Sequence, residues 1–268
     1  MFTKVLIANR GEIAVRIIRA CHELGIQTVA VYSEADREAL HTQLATQAIC
    51  IGPAKASDSY LNMTSILSAA VVTGAQAIHP GFGFLSENSA FATMCEEMNI
   101  RFIGPSSTII DLMGNKANAR RTMIAAGVPV TPGSEGYISS YEEAVVQAEK
   151  IGYPVILKAA AGGGGKGMRK VYQENGLEAA FSQAKAEAKA AFGDDSMYLE
   201  KIITPARHIE VQILGDSFGN VVHLGERDCS LQRNHQKVLE ESPSTFISEE
   251  TRKAMGDVAI RAAKHVGY

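Results

Sequence analysis

The chain has 268 residues and is 46% hydrophobic, which is enough for one large globular domain or two to three smaller ones. Its 26 basic and 29 acidic residues are interspersed and give a formal charge of −3, so a broad basic face for nucleic acid is not expected. The apolar stretch KVLIA is cut short by Asn9, Arg10 and Glu12, which excludes a signal peptide or membrane span there. We expect a cytoplasmic protein.

The four cysteines are widely scattered along the chain. No two of them have the close spacing of a zinc site or a redox dithiol, so we predict reduced thiols and no metal site among them. They are Cys21, Cys50, Cys95 and Cys229.

Short apolar runs alternate with helix-period segments over residues 4–104, which is typical of a parallel sheet with crossover helices. The predicted strands are Lys4–Ala8, Thr28–Ser33, Ala48–Ile51, Ala77–His79 and Arg101–Ile103. The predicted helices are Glu12–Leu24, Tyr60–Thr73 and Ser86–Met98, the second with Ser57, Asp58 and Ser59 as candidate caps. The pattern predicts a doubly wound α/β domain over residues 1–114.

A segment rich in proline and glycine, GVPVTPGSEG, follows and predicts a linker, which we place at residues 115–130. Beyond it we predict a helix at Tyr141–Ile151, strands in YPVILKAA and at Met168–Val171, and a helix at Glu178–Phe192 that ends at Gly193. Residues 131–203 should therefore form a small α+β lid.

A two-stranded antiparallel ribbon is predicted from RHIEVQILGD and GNVVHLGERD, around a turn at residues 216–219. A helix at Glu249–Val266 follows. One ribbon and one helix are too little for an independent core, so residues 204–268 are expected to be the incomplete beginning of a third domain.

The segment YPVILKAAAGGGGKGM carries the strongest chemical signal. An apolar strand delivers Lys158, and four consecutive glycines then allow the backbone to approach a charged ligand: Gly162, Gly163, Gly164 and Gly165. Such a loop can turn N–H groups toward phosphate oxygens. It fits neither the Walker A spacing nor the dinucleotide fingerprint. A flexible linker is the alternative, but the run lies between two predicted strands of one unit, which favours a phosphate-binding loop.

This lysine and loop, followed by EKIITPARHIEVQILGD and ERDCSLQRNHQKVLEESPS, closely resemble the ATP-grasp region of biotin carboxylases. NRGEIAVRIIRA and AIHPGFGFLSEN resemble the domain that precedes it in the same family. The resemblance covers residue 4 to about residue 245. It implies a ligase that forms a carbon–nitrogen bond: ATP and bicarbonate give carboxyphosphate, and biotin on a carrier is then carboxylated.

The resemblance also implies roles for individual residues. Lys116 and Lys158 would contact the ATP phosphates, Lys237 and His235 would be catalytic, and Lys237 would reach bicarbonate or carboxyphosphate. The other nucleotide contacts would come from Gly162 to Gly165, Met168, Glu200, Lys201, Ile203, His208, Gln232 and His235. Period-two alternation places His208, Glu210 and Gln212 on one face of a strand, yet a solvated face explains the same pattern, so Glu210 and Gln212 stay undecided.

Members of the family continue well beyond residue 268, where the magnesium ligands, a bicarbonate-binding arginine and the base for biotin would lie. We therefore expect a fragment that is inactive alone. Expected partners are a biotin carboxyl carrier protein or domain, a carboxyltransferase component and, at full length, a second copy in a homodimer. Two rivals remain, namely a ligase related to the carbamoyl-phosphate synthetase large subunit and a catalytically inactive binding module.

Overall fold

The computed structural model describes residues 2–134, 136–160, 167–233 and 236–268, apart from the side chains of residues 116 and 117. The chain divides into two units, Met1–Gly114 and Asn115–Tyr268. Within the described residues, no helix combines the length and apolarity that crossing a membrane requires.

The first unit is built on a five-stranded parallel sheet with strand order β3-β2-β1-β4-β5. Its strands are β1 Lys4–Ile7, β2 Gln27–Ser33, β3 Gln47–Gly52, β4 Ala77–His79 and β5 Arg101–Phe102. Its helices are α1 Gly11–Glu23, α2 Leu40–Leu44, α3 Met63–Thr73, α4 Ser89–Glu97 and α5 Ser107–Gly114. Both faces of the sheet are covered, so successive residues of β1 pack into different hydrophobic cores. Leu6 belongs to one core, and Val5 and Ile7 belong to the other.

The predicted doubly wound α/β fold is confirmed, and each predicted strand lies within two residues of an observed one. The predicted start of the second helix is wrong. Helix α3 begins at Met63, and its cap is Asn62, whose side chain accepts a hydrogen bond from the Ser65 N–H at 3.0 Å. Tyr60 is instead 1% exposed and donates its hydroxyl to Asp36, while residues 56–58 form a short 3₁₀ turn. Helices α2 and α5 were not predicted.

The second unit begins with helix α6 Lys116–Ala125, which occupies most of the predicted linker. A three-stranded antiparallel sheet follows with order β7-β6-β8. Its strands are β6 Val155–Ala159, β7 Met168–Val171 and β8 Met197–Lys201, and its helices are α7 Tyr141–Ile151 and α8 Leu177–Phe192. The predicted helices and strands of the lid are confirmed, including the end of α8 at Gly193, which has a left-handed backbone.

The lid core lies between its sheet and helices α7 and α8. Val155, Leu157 and Ala159 of the central strand are at most 3% exposed and pack against the helices. The alternate residues of β6 are only partly buried, so the sheet has a helix-covered face and an open face.

The remaining elements form a second antiparallel sheet, with order β11-β10-β9, and one long helix. They are β9 Ile209–Gly215, β10 Val221–Arg233, β11 Gln236–Glu241 and α9 Glu249–Val266. The predicted ribbon and helix are confirmed, but strand β11 was missed. Every residue of β11 is exposed, so its sequence carries no burial alternation that could have revealed a strand.

Candidate functional site

The open face of the lid sheet carries Lys158. This residue pairs in register with Met168 on β7 and with Tyr198 on β8. Its ammonium forms an ion pair with the Glu200 carboxylate, and Nζ lies 5.9 Å from the centre of the Tyr198 ring. The two charged side chains are 26% and 21% exposed, so both remain within reach of a ligand.

Arg120 adds a second positive charge to this face and was missed by the sequence analysis. A methyl group built on Gly133 would lie 3.3 Å from Glu200 Cγ and 3.4 Å from Arg120 Cζ, so both side chains lie beside this glycine. Arg120 donates to the Thr131 carbonyl. Burial and the Glu200 carboxylate raise the pKa of Tyr198, and the Arg120 charge opposes that rise. Two cations and one carboxylate leave this face net positive, which suits a phosphate chain.

Of the predicted nucleotide contacts Glu200, Lys201 and Ile203, only Glu200 shares a face with Lys158. Lys201 pairs with Val155 and therefore projects to the helix-covered face, where Nζ donates to the carbonyls of Gly152 and Tyr153 at 2.8 and 2.7 Å. Its main-chain N–H donates to Pro132 at 2.7 Å. Ile203 is 53% exposed beyond the end of β8. The Lys201 side chain thus ties the lid backbone together and is not available to a ligand on the open face.

The C-terminal sheet brings two other predicted residues together. Gln232 Nε2 lies 2.6 Å from His208 Nδ1 and donates to the Cys229 carbonyl at 3.0 Å. The His208 N–H donates to Ser230 Oγ at 3.0 Å, and Ser230 in turn donates to Asp228. His208 and Gln232 therefore form one hydrogen-bonded pair, as expected of residues that share a ligand.

Glu210, which the sequence left undecided, is the centre of an ionic cluster with Lys237. Arg227 Nε donates to Glu210 Oε1 at 2.6 Å, Nη2 forms an ion pair with the same oxygen at 2.5 Å, and Lys237 forms an ion pair with Oε2. Arg227 also donates to Gln212 at 3.0 Å and lies 3.6 Å from Glu240. The alternate polar residues of β9 thus lie on one hydrogen-bonded polar face. Arg227 belongs to this face and was not predicted from the sequence.

The charges of this cluster are mutually stabilised. Burial alone would raise the pKa of Glu210, but hydrogen bonds from Lys237 and Arg227 outweigh it and hold that pKa below its usual value. The hydrogen bond to Glu210 raises the pKa of Lys237, against the opposite effect of burial. Lys237 is therefore a permanent cation at neutral pH, suited to stabilising an anion rather than to transferring a proton.

Cys229 lies beside this cluster as an inert thiol. Its side chain is fully buried, and burial raises its pKa, which disfavours the reactive thiolate. Ligand atoms of Glu210, Cys229 and Glu240 lie within 4.8 Å of one another. The Glu210 carboxylate is taken by two cations, however, so the group is poorly suited to a metal ion.

Three of the predicted contributions lie outside the described residues. They are the side chain of Lys116, the loop glycines Gly162 to Gly165, and His235. Their roles stay predictions.

Both halves of the chain match known families. Residues 1–110 match the biotin carboxylase N-terminal domain, and residues 115–268 match the ATP-binding domain of the carbamoyl-phosphate synthase L chain. The chain is 59% identical over 268 residues to biotin carboxylase 1 of Bacillus subtilis, which covers 100% of the chain and 60% of that protein.

The chain belongs to the biotin carboxylase family. It is also 56% identical over 265 residues to the chloroplastic biotin carboxylase of Arabidopsis thaliana, covering 99% of the chain and 49% of that protein. It therefore spans between about half and 60% of the length of these relatives. The resemblance inferred from the motifs is confirmed, while the cytoplasmic location stays a prediction.

Solved structures of biotin carboxylases share the fold of the whole chain. The biotin carboxylase beta-gamma-ATP complex from Campylobacter jejuni matches with a TM-score of 0.95 and 54% identity, over 100% of this chain and 60% of that one. The biotin carboxylase domain dimer of Hydrogenobacter thermophilus 2-oxoglutarate carboxylase, in complex with MgADP, ADP and bicarbonate, matches with a TM-score of 0.92 and 52% identity, over 100% and 59%.

Proposed function

We propose that this chain supplies the ATP-binding part of a biotin carboxylase, which uses MgATP and bicarbonate to carboxylate biotin on a carrier. The observation that carries the proposal is the open face of the lid sheet. On that face Lys158, Arg120 and Glu200 lie close together, on the side of the sheet away from the lid core. The bicarbonate found with a relative's biotin carboxylase domain supports the same substrate here.

In the proposed reaction, a bicarbonate oxygen attacks the γ-phosphorus of ATP and the bond to the β,γ-bridging oxygen breaks. The products are carboxyphosphate and ADP. The carboxyl group then passes to N1′ of biotin, which loses its proton, and inorganic phosphate leaves. Phosphoryl transfer of this kind depends on positioning and charge neutralisation more than on a nucleophilic residue. Lys158 would hold the phosphates, and Lys237 would stabilise the anion through its fixed charge.

Magnesium would neutralise the phosphates when bound. The two carboxylates on the described polar faces do not fit this ion, because Glu200 is paired with Lys158, and Glu210 with Lys237 and Arg227. We therefore do not propose these two carboxylates as magnesium ligands.

We propose three partners for the complete enzyme: a biotin carboxyl carrier protein or domain, a carboxyltransferase component, and a second copy of the chain in a homodimer. The Rhizobium etli pyruvate carboxylase supports the first two. This chain matches only 24% of that protein, with 46% identity and a TM-score of 0.87, so the same fold occurs there within a much larger chain. The dimer of the Hydrogenobacter domain supports the third.

The test is turnover in a chimera in which residues 1–268 replace the matching part of the Bacillus subtilis relative. We expect ADP release that requires bicarbonate and increases on addition of free biotin. Stimulation by ammonia with formation of carbamoyl phosphate would instead indicate a ligase like carbamoyl-phosphate synthase. ATP binding without cleavage would indicate an inactive binding module.

A further inference from the structure

Glu210 and Lys237 contact each other across an intervening strand. In the order β11-β10-β9, Glu210 lies on β9 opposite Arg227 of β10, and Lys237 lies on β11 opposite Gln232 of β10. Adjacent strands are about 4.8 Å apart, so the two backbones are separated by about 10 Å. Two long side chains must therefore extend over the middle strand to meet, which a loosely held surface lysine would seldom do.

The Glu210 carboxylate is divided between its two partners. Arg227, directly opposite Glu210 in the strand register, donates Nε to Oε1 at 2.6 Å and brings Nη2 to 2.5 Å from the same oxygen, while Lys237 donates to Oε2. Arg227 is itself held by Gln212 at 3.0 Å and by Glu240 at 3.6 Å. A planar guanidinium bound at several points is a rigid support. Arg227 therefore fixes the orientation of the Glu210 carboxylate, and with it the direction in which Oε2 faces Lys237.

We propose that Glu210 is a positioning residue for Lys237, and that Arg227 holds Glu210 in the orientation this requires. The inference deepens the proposed function and rests on it for the role of Lys237 at bicarbonate. An ammonium has three N–H donors, and one is used by Glu210, which leaves two for an anion.

This arrangement assigns different roles to the members of the cluster. Glu210 is ionised and paired at neutral pH, so it is a poor proton acceptor there. Lys237 carries its charge at neutral pH in any case, and the hydrogen bond to Glu210 raises its pKa further. The charged or titratable groups that affect Lys237 are Glu210, Cys229 and Glu240, with Arg227 acting on Glu210 itself. Only Glu210 forms an ion pair with Lys237 among the described residues.

The first test measures Lys237 in the chain itself and needs no turnover. Competitive acylation at a series of pH values, read by mass spectrometry, gives the pKa and reactivity of each lysine. We expect Glu210→Gln to lower the pKa of Lys237 and to raise its reactivity at pH 9 several-fold. The matched control is Glu249→Gln, which removes an exposed carboxylate that pairs with Arg252 on α9. An unchanged Lys237 profile in Glu210→Gln would overturn the proposal.

The second test uses the active chimera. We expect Glu210→Gln to lower kcat/KM for bicarbonate at least tenfold while KM for ATP changes less than twofold, and Glu210→Asp to restore part of the loss. Tighter bicarbonate binding in Glu210→Gln would show that Glu210 competes with the anion, and a defect confined to ATP would place Lys237 at the nucleotide. Either result contradicts the proposal. If the unsubstituted chimera fails to respond to bicarbonate and biotin, the proposed function fails, while the acylation experiment still decides whether Glu210 positions Lys237.

Discussion

Changing Lys158 to glutamine removes the cation on the central strand of the lid sheet that we propose contacts the ATP phosphates. In the free protein Lys158 pairs with Glu200, and the two side chains are 26% and 21% exposed. A partly exposed pair of this kind is worth about 0–1 kcal/mol. A charge-assisted hydrogen bond to phosphate is worth about 1.5–3 kcal/mol. Since binding exchanges the ion pair for the hydrogen bond to phosphate, the substitution should weaken MgATP binding by about 0.5–3 kcal/mol, or about 2- to 150-fold in Kd.

Titration calorimetry of the full-length chimera that carries residues 1–268 measures this change in MgATP affinity. The matched control is Lys189→Gln on helix α8, an exposed lysine away from the open face of the lid. We expect the control to bind MgATP like the unsubstituted chain, and both variants to keep its melting temperature. Unchanged affinity in Lys158→Gln would refute the reasoning and make Lys158 a purely structural partner of Glu200.

The remaining predictions concern stability, turnover and pH. Gly167→Ala should cost about 2–4 kcal/mol in thermal unfolding, because φ is +65° and the new Cβ would lie 2.8 Å from that of Ala159. Gly193→Ala, with φ of +75° and nothing within 4 Å, should cost only about 1 kcal/mol, and equal losses would contradict the packing argument. Lys237→Gln in the active chimera should lower bicarbonate-dependent turnover at least tenfold, which is about 1.4 kcal/mol in activation barrier, with ATP affinity nearly intact. A loss of ATP affinity with unchanged turnover at saturating ATP would instead place Lys237 at the ATP site. Burial opposes ionisation of Asp36, but hydrogen bonds from Tyr60 and Ser33 and the Arg10 charge hold its pKa below the usual value. The ionised Asp36 therefore stabilises the folded state above about pH 4, and this contribution is lost as pH falls through the lowered folded-state pKa. Asp36→Asn should therefore lower the melting temperature at pH 7 and approach the unsubstituted chain near pH 3, and a constant gap would contradict this.

The sequence predicted most elements because burial leaves a periodic trace. The apolar run YPVILKAA predicted β6, and the structure then shows that Val155, Leu157 and Ala159 are buried while Lys158 lies on the open face. The same rule fails for β11, where every residue is exposed. A strand held by its ladder alone has no hydrophobic signature.

Functional residues defined by distant partners were harder to predict. Arg120 lies on a helix in the predicted linker, and only the packing beside Gly133 brings it to Glu200. Glu210 is the centre of its ionic cluster because it pairs with Arg227 and Lys237, which are 17 and 27 residues away along the chain. The start of α3 was predicted at Tyr60, but Tyr60 is buried and donates a hydrogen bond to the distant Asp36. The helix begins later, where Asn62 provides its cap.

The most direct test of the proposed function is the transfer of labelled carbon from bicarbonate to free biotin by the chimera carrying residues 1–268. With MgATP, we predict acid-labile carboxybiotin that forms in step with ADP and is absent without ATP. ADP formation without labelled biotin, or label appearing in carbamoyl phosphate when ammonia is supplied, would contradict the assignment of biotin as the acceptor.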